Sequence, residues 1–155
     1  MFSGGGPVIT NVRDLIRFHE SLRLQAYWDP IGACFTCGWG STGLDVTKDT
    51  QWTQAQADAR LGADIITATK DAADFIGSSW SALSAPRQGA IIDMAYELGR
   101  HRLRGFIHLR AALVTGDWQR ARDEALNSEW AKQVPNRALQ DAEILLDGEW
   151  PKDQG

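Results

Sequence analysis

Between Leu24 and Leu44 this chain cannot sustain a helix. Asp29-Pro30, Gly32, Gly38, Gly40 and Gly43 interrupt it every few residues; proline lacks a backbone donor, and glycine favours turn conformations. The pieces between the breaks are short and extended, which predicts a small antiparallel sheet with tight turns. On either side the pattern is helical. Asn11 is placed to cap a short helix in which Val12, Leu15, Ile16 and His19 share one face, running out near Glu20-Ser21. Thr53-Gln54-Ala55-Gln56 is a capping box that opens a long helix, with Ala57, Leu61, Ile65, Ala68, Ala72 and Phe75 or Ile76 along one stripe. Ser84-Ala85-Pro86 starts another, whose Ala90, Ile91, Met94, Ala95 and Leu98 point inward and which Gly99 should stop. Shorter helices follow over roughly Leu103–Val114, Trp118–Leu126 and Pro135–Leu146, with Gly116 and Gly148 as stops. Asp117 and Pro135 sit where a cap and a first-turn proline belong.

The order is a helix, a small sheet, a long helix and a helical bundle. That predicts an α+β fold, mostly helical, within one domain spanning 1–155. A sheet lobe over about 11–50 would be joined by a connecting helix at about 53–78 to a helical lobe at about 80–150, and a cleft between lobes is the default place for a ligand. A chain of 155 residues buries roughly 70% of its unfolded surface, so it needs neither a metal nor a disulfide to hold its core.

Charge and special residues narrow the function. The net charge of −4 hides an asymmetry: residues 87–137 carry nine Lys/Arg against six Asp/Glu, and the remainder seven against fourteen. A basic face at Arg100, Arg102 and Arg104 would suit an anionic polymer, although a solvated charged surface explains it as well. Overall acidity argues against a dedicated nucleic-acid binder. The Gly-rich start, Met1 to Thr10, lacks the charged and apolar regions of a secretory leader, and no run of 18 apolar residues exists. Cys34 and Cys37 form a lone C-x-x-C. His19, His101 and His108 stand at no finger spacing from it, so no metal or cofactor is expected. Of the seven tryptophans most should pack the core, and one or two could line a saccharide groove.

Two carboxylates are suggestively placed. Glu20 falls at the C-terminal end of the first helix, where the helix dipole opposes ionisation and suits a proton donor. Asp29 lies in a Gly/Pro turn where backbone donors can keep it ionised. Glycoside hydrolysis usually needs such a pair. By spacing alone, two surface acids remain the plainer reading, since any of twenty Asp/Glu could be paired so.

The surrounding residues carry more. His19-Glu20-Ser21-Leu22-Arg23-Leu24-Gln25-Ala26-Tyr27-Trp28-Asp29-Pro30, then Gly32 and Phe35-Thr36-Cys37-Gly38-Trp39-Gly40, closely resembles the active-site segment of phage-type lysozymes, glycoside hydrolase family twenty-four. Arg87-Gln88-Gly89-Ala90-Ile91-Ile92-Asp93-Met94-Ala95-Tyr96-Glu97-Leu98-Gly99 is similar to that family's central buried helix. Trp130-Ala131-Lys132-Gln133-Val134-Pro135-Asn136-Arg137-Ala138 resembles its C-terminal signature, and Gly148-Glu149-Trp150 its usual ending. The likeness covers about 11–150. Six residues separate Asp29 from Thr36 where the usual interval is five. Ser41 stands where many relatives place a histidine that makes a structural ion pair.

The resemblance implies a lysozyme-like fold and a muramidase that hydrolyses β-1,4 linkages between N-acetylmuramic acid and N-acetylglucosamine in peptidoglycan, without a cofactor, as a monomer. Glu20 would be the acid. Asp29 would activate or position water or stabilise the transition state, and Thr36 would help to hold that water. Arg137 would pair with Glu20, while Tyr96 and Glu97 would face the cleft or brace the C-terminal signature. Such an enzyme would be made in the host cytoplasm and reach the wall through a holin or a tail assembly. A tail-borne hydrolase for cell entry, a lytic transglycosylase and a non-catalytic peptidoglycan-binding module are the alternatives; Asp29 disfavours the second, and an acid retained beside it disfavours the third.

Overall fold

The computed structural model describes residues 8–152. The glycine-rich start read as lacking a leader falls, for residues 1–7, outside the described residues. Helix α1 (Val12–His19) begins where Asn11 Oδ1 accepts the Asp14 N–H at 2.9 Å. Leu15 and Ile16 are fully buried, and the helix is released at Glu20, whose backbone is already extended while its N–H still reaches the Ile16 carbonyl at 2.8 Å. Glu20 is thus carried by the last turn of a packed helix without being inside it.

Strands β1 (Arg23–Asp29) and β2 (Cys34–Gly38) pair antiparallel with Tyr27 opposite Thr36, Trp28 opposite Phe35 and Asp29 opposite Cys34. Directly opposed side chains share a face, and successive residues alternate. Tyr27, Asp29, Cys34 and Thr36 therefore occupy one face of the hairpin. Trp28 and Phe35 occupy the other, edge to face at 5.1 Å. The turn between the strands takes up the six-residue interval, with Ala33 in the left-handed region at φ 53°. The Ala26 N–H donates to Thr50 O and the Trp52 N–H to Leu24 O, which lashes the hairpin to the segment leading into the next helix.

Helix α2 (Gln54–Ile76) opens with the complete capping box: the Gln56 N–H donates to Thr53 Oγ1 at 3.1 Å, and the Thr53 N–H to Gln56 Oε1 at 2.9 Å. Its expected stripe is buried, with Ile65 only half so. A 3-10 segment, Gly77–Ala82, leads to α3 (Ala85–Leu103), capped by Ser84. Gly99 breaks α3 as expected, at φ 77° and ψ 165°, but the chain makes one further helical turn beyond it instead of stopping. Helix α4 (Ile107–Thr115) starts four residues later than the pattern suggests, because Gly105 and the non-helical Phe106 intervene. Helices α5 (Trp118–Leu126) and α7 (Pro135–Asp147) match expectation, and left-handed glycines cap the C-terminal ends of α4, at Gly116, and α7, at Gly148. Between them lies α6 (Glu129–Gln133), unforeseen, started by Ser128, whose Oγ accepts the Ala131 N–H at 3.1 Å.

The architecture is α+β with a helical majority. Helix α3 runs through the core, packed on α2, α7 and α1. Its Ala90, Ile91 and Met94 are fully buried, and Trp130 packs into the same core with Phe106 edge-on at 6.3 Å. No helix among the described residues is long and apolar enough to cross a membrane.

Gly89, buried in α3, provides the seat for the Trp150 ring. A methyl group there would lie 2.6 Å from Trp150 Cζ3. Gly89→Ala gains about 1 kcal/mol of helix propensity, but overpacking costs about 1–3 kcal/mol. The thermal midpoint of Gly89→Ala should fall, whereas in a Trp150→Ala background the same change should raise it. Equal effects in both backgrounds would mean that the ring does not define this contact.

Candidate active site

A cleft of about 440 Å³ opens between the hairpin and the second half of α3. Glu20, Asp29, Thr36, Tyr96 and Glu97 all line it, with Tyr27, Gly40 and Arg102 beside them. Residues from the end of α1, the cleft face of the hairpin and α3 thus meet around one space. Arg137, the sixth residue singled out from the sequence, stands behind Glu20 at the start of α7.

Arg137 is 7% exposed, and its guanidinium is shared. Nη1 donates to Glu20 Oε1 at 2.7 Å and lies 3.8 Å from Glu97 Oε2. Nε and Nη2 donate to the two oxygens of Asp93 at 3.0 and 2.7 Å. Burial alone would lower the guanidinium pKa, but the charge and hydrogen bonds of Asp93, then Glu20 and Glu97, hold it well above its ordinary value. Burial pushes Glu97 up against the pull of Arg137. Glu20 is therefore held from behind, by a residue 117 positions away in sequence.

The carboxylates also rest on glycines. A methyl group on Gly40, which sits at φ +83°, would overlap the Glu20 carboxylate, with Cδ at 2.6 Å. One on Gly32 would lie 2.9 Å from Asp29 Oδ2. Asp29 Oδ1 accepts the Ile31 N–H at 2.9 Å, the backbone donor expected in that turn. Thr36 is buried on the same face as Asp29, and its Oγ1 has no hydrogen-bond partner among the described residues. The longer interval before Thr36 is absorbed in the turn, so the residue stays in register facing the cleft.

Tyr96 ties α3 to the hairpin. Its hydroxyl donates to the Trp39 carbonyl at 2.5 Å, and burial, then the charge of Asp64, raises its pKa. Ser41 donates to Asp64 Oδ2 at 2.6 Å while Arg60 Nε donates to Oδ1 at 2.9 Å. Asp64, beside Ser41, is thus satisfied by a hydroxyl and an arginine. Burial, then Glu20 and Asp29, also raises the pKa of Tyr27. Arg23 lies over its ring at 4.5 Å.

One expectation needs correction. No tryptophan lines the cleft among the described residues. Strand alternation turns Trp28 to the outer face, where it is 53% exposed, and Tyr27 and Tyr96 supply the cleft aromatics instead. All three arginines of the basic trio are solvent-exposed, and Arg102 also lines the cleft and donates to Gln133 Oε1 at 3.2 Å. Cys34 and Cys37 are both free thiols. Cys34 faces the cleft and Cys37 is buried, with its Sγ 3.5 Å from the carbonyls of Arg23 and Leu24. Sequence reading assigned no role to Asp93, Asp141 or His19, which lie within 4.8 Å of one another behind Arg137. An aspartate inside the apolar run Ala90–Leu98 was the available signal.

A family model described as Phage lysozyme matches residues 17–142. The chain is 26% identical to the pre-baseplate central spike protein Gp5 of Enterobacteria phage T4, over 89% of this chain and 28% of that protein. It is 21% identical to probable T4-type lysozyme 1 of Dictyostelium discoideum, over 91% of this chain and 96% of that one. Over a shorter stretch, 37% of this chain and 25% of the relative, it is 45% identical to the endolysin of Lactococcus phage c2. The chain thus spans about a quarter of the spike protein and of the endolysin, and nearly all of the Dictyostelium protein.

His19 lies beneath the site with its imidazole pKa lowered from 6.5, by burial first and against the attraction of Asp93. The folded state then binds fewer protons than the unfolded state between those two values. Stability from this group is complete above pH 6.5 and is lost as pH falls through the folded value. Urea midpoints measured from pH 7 to 4.5 should therefore fall more steeply for wild type than for His19→Gln. Parallel curves would mean that the ring protonates as easily folded as unfolded.

Proposed function

Since the chain belongs to the phage lysozyme family, we propose that it is a peptidoglycan hydrolase that cleaves the β-1,4 bond between N-acetylmuramic acid and N-acetylglucosamine. The observation that carries this reading is the pairing of a buttressed carboxylate, Glu20 on Arg137, with a second carboxylate, Asp29, on the same cleft. Glycoside cleavage needs a proton at the leaving oxygen and a carboxylate on the other side of the sugar ring. Glu20 donates that proton. Its acid form keeps a hydrogen bond from Arg137, so the group does not swing when the charge changes. Asp29 accepts a proton from water or stabilises positive charge at the anomeric carbon, held in place by the Ile31 N–H. Thr36 Oγ1, buried without a protein partner, supports a place for a water or a sugar hydroxyl.

Tyr96 and Glu97 brace this arrangement, Tyr96 through the Trp39 carbonyl and Glu97 through Arg137. Asp29 and the unpartnered threonine beside it favour transfer to water over the internal transfer of a transglycosylase. The relatives are named both as an endolysin and as a spike protein. Release from the host through a holin and entry with a tail are therefore both routes by which such a domain meets the wall, in either case as a single chain with no cofactor.

Glu20→Gln should lower the clearing rate of exposed cell walls by about 10²–10⁴ while circular dichroism stays native. A folded Gln variant with more than about a tenth of the wild-type rate overturns the acid role. Asp29→Asn should lose more activity than Thr36→Ala, and the reverse order would reassign the water. Mass spectrometry of the products should find reducing muramic acid ends; anhydro ends would convert the reading to a transglycosylase.

Gly40→Ala gives an independent check, because it changes no titratable group. It should cut the rate by about tenfold or more, through displacement of Glu20 and strain in the left-handed backbone at position 40. An unaffected rate would mean that the carboxylate position at Gly40 is not the working one.

A further inference from the structure

The cleft carboxylate hangs on a guanidinium whose own support lies deeper. Asp93 on α3 is fully buried and accepts from Arg137 with both oxygens, Nε to Oδ2 at 3.0 Å and Nη2 to Oδ1 at 2.7 Å. A planar guanidinium held at two points on one edge has its plane and direction set, so its remaining Nη1 can aim only one way, and it aims at Glu20 Oε1.

Behind Asp93 lies Asp141 of α7, also fully buried. Neither Asp141 oxygen meets a donor among the described residues, and its contact with Asp93 joins two acceptors. Such a contact becomes a hydrogen bond only when one partner carries a proton. The surroundings supply no second cation to spare that proton. From α1, His19 Nε2 stands 4.0 Å from Asp93 Oδ2, but burial disfavours the charged imidazole and its side chain is hydrogen-bonded to Gln140. From the cleft side, Glu20 and Glu97 both draw on Arg137, and Arg102 also acts on Glu97. Four carboxyl groups thus share one buried guanidinium. Two fully ionised aspartates in that dry space would leave a charge uncompensated. A cation among His19, Asp93 and Asp141 is disfavoured by Arg137, which already occupies both Asp93 oxygens. Asp93, touching the guanidinium, is the ionised partner, and burial together with the Asp93 charge raises Asp141.

We infer that Asp93 is the positioning residue of the cleft carboxylate: it grips Arg137 at two points, and Asp141 makes that grip possible by carrying the one proton the pair shares. The inference rests on the reading of Glu20 as the acid, but the shared proton can be tested without it.

The asymmetry between the aspartates is the first readout. Asparagine at 141 mimics a neutral acid and can donate to Asp93, whereas asparagine at 93 removes the charge that holds Arg137. Asp93→Asn should lower kcat about tenfold or more, keep KM within about twofold and shift the pH–rate profile. Asp141→Asn should retain at least about ten times more of kcat than Asp93→Asn. Equal losses would make the pair a packing feature and overturn the positioning role.

The second readout is the difference in stability between wild type and Asp141→Asn as pH rises above the range of a free carboxyl, where groups common to both proteins cancel. One proton bound only in the folded state makes the folding equilibrium constant fall tenfold per pH unit. Wild type should show that slope in excess of Asp141→Asn; identical slopes overturn the shared proton.

If Asp93→Asn does not fold, carbon NMR of labelled wild type decides. One of the two carboxyls must keep its protonated shift above about pH 5, and two carboxyls both ionised by that pH overturn the inference. Should Glu20→Gln stay active, the catalytic reading fails, while the pH slope still decides the proton pair.

Discussion

A single guanidinium is the junction on which the rest of this molecule depends. Arg137 sits at the start of α7 and bonds to Asp93 inside α3 and to Glu20 at the exit of α1. Burying a cation is tolerable only when its donors are met, and removing one partner of such a buried pair typically costs about 3–5 kcal/mol. The chain meets that demand by converging three helices on one point. The hydrophobic core brings α1, α3 and α7 together, but apolar contact has little direction. The forked hydrogen bonds supply the direction that fixes where a carboxylate meets the cleft.

The hairpin solves a different problem by simpler means. Strand alternation sends Tyr27, Asp29, Cys34 and Thr36 to the cleft and Trp28 and Phe35 away from it. Absence of a side chain completes the site: Gly40 lies against Glu20 and Gly32 against Asp29, so each carboxylate rests close to backbone. The glycines that forbid a helix between Leu24 and Leu44 are in part the same residues that make room for the acids. One composition thus sets the local fold and clears space for the site.

Much of this was legible from the sequence because it is encoded locally. The Asn11 cap, the capping box at Thr53, the break at Gly99 and the stops at Gly116 and Gly148 act within one turn of chain, and each stands where its residues predict. What escaped notice is short or long-range. Helix α6 has five residues, too few for a period to show. Asp141 lies four residues after Arg137, a spacing that reads as a surface pair on an exposed helix, yet both are buried. The Arg137–Asp93 grip and the proton behind it depend on which helices meet, and periodicity does not carry that information. The cleft aromatics were misjudged for the opposite reason. Tryptophan count suggested sugar contact, whereas strand parity turned Trp28 outward.

The contact between Glu20 and Arg137 also has a consequence in time. It spans 117 positions, whereas Glu20 and Asp29 lie in one short continuous stretch. Closing a loop of that length from a disordered chain costs about 4 kcal/mol in entropy, so such a contact is unfavourable until the intervening helices have collapsed. The hairpin and α1 can form early from near neighbours. The carboxylate at their junction gains its fixed position only when α7 docks. A partly synthesised or partly refolded chain would therefore present both acids without the geometry that joins them, and the working site is among the last parts of the molecule to come into existence.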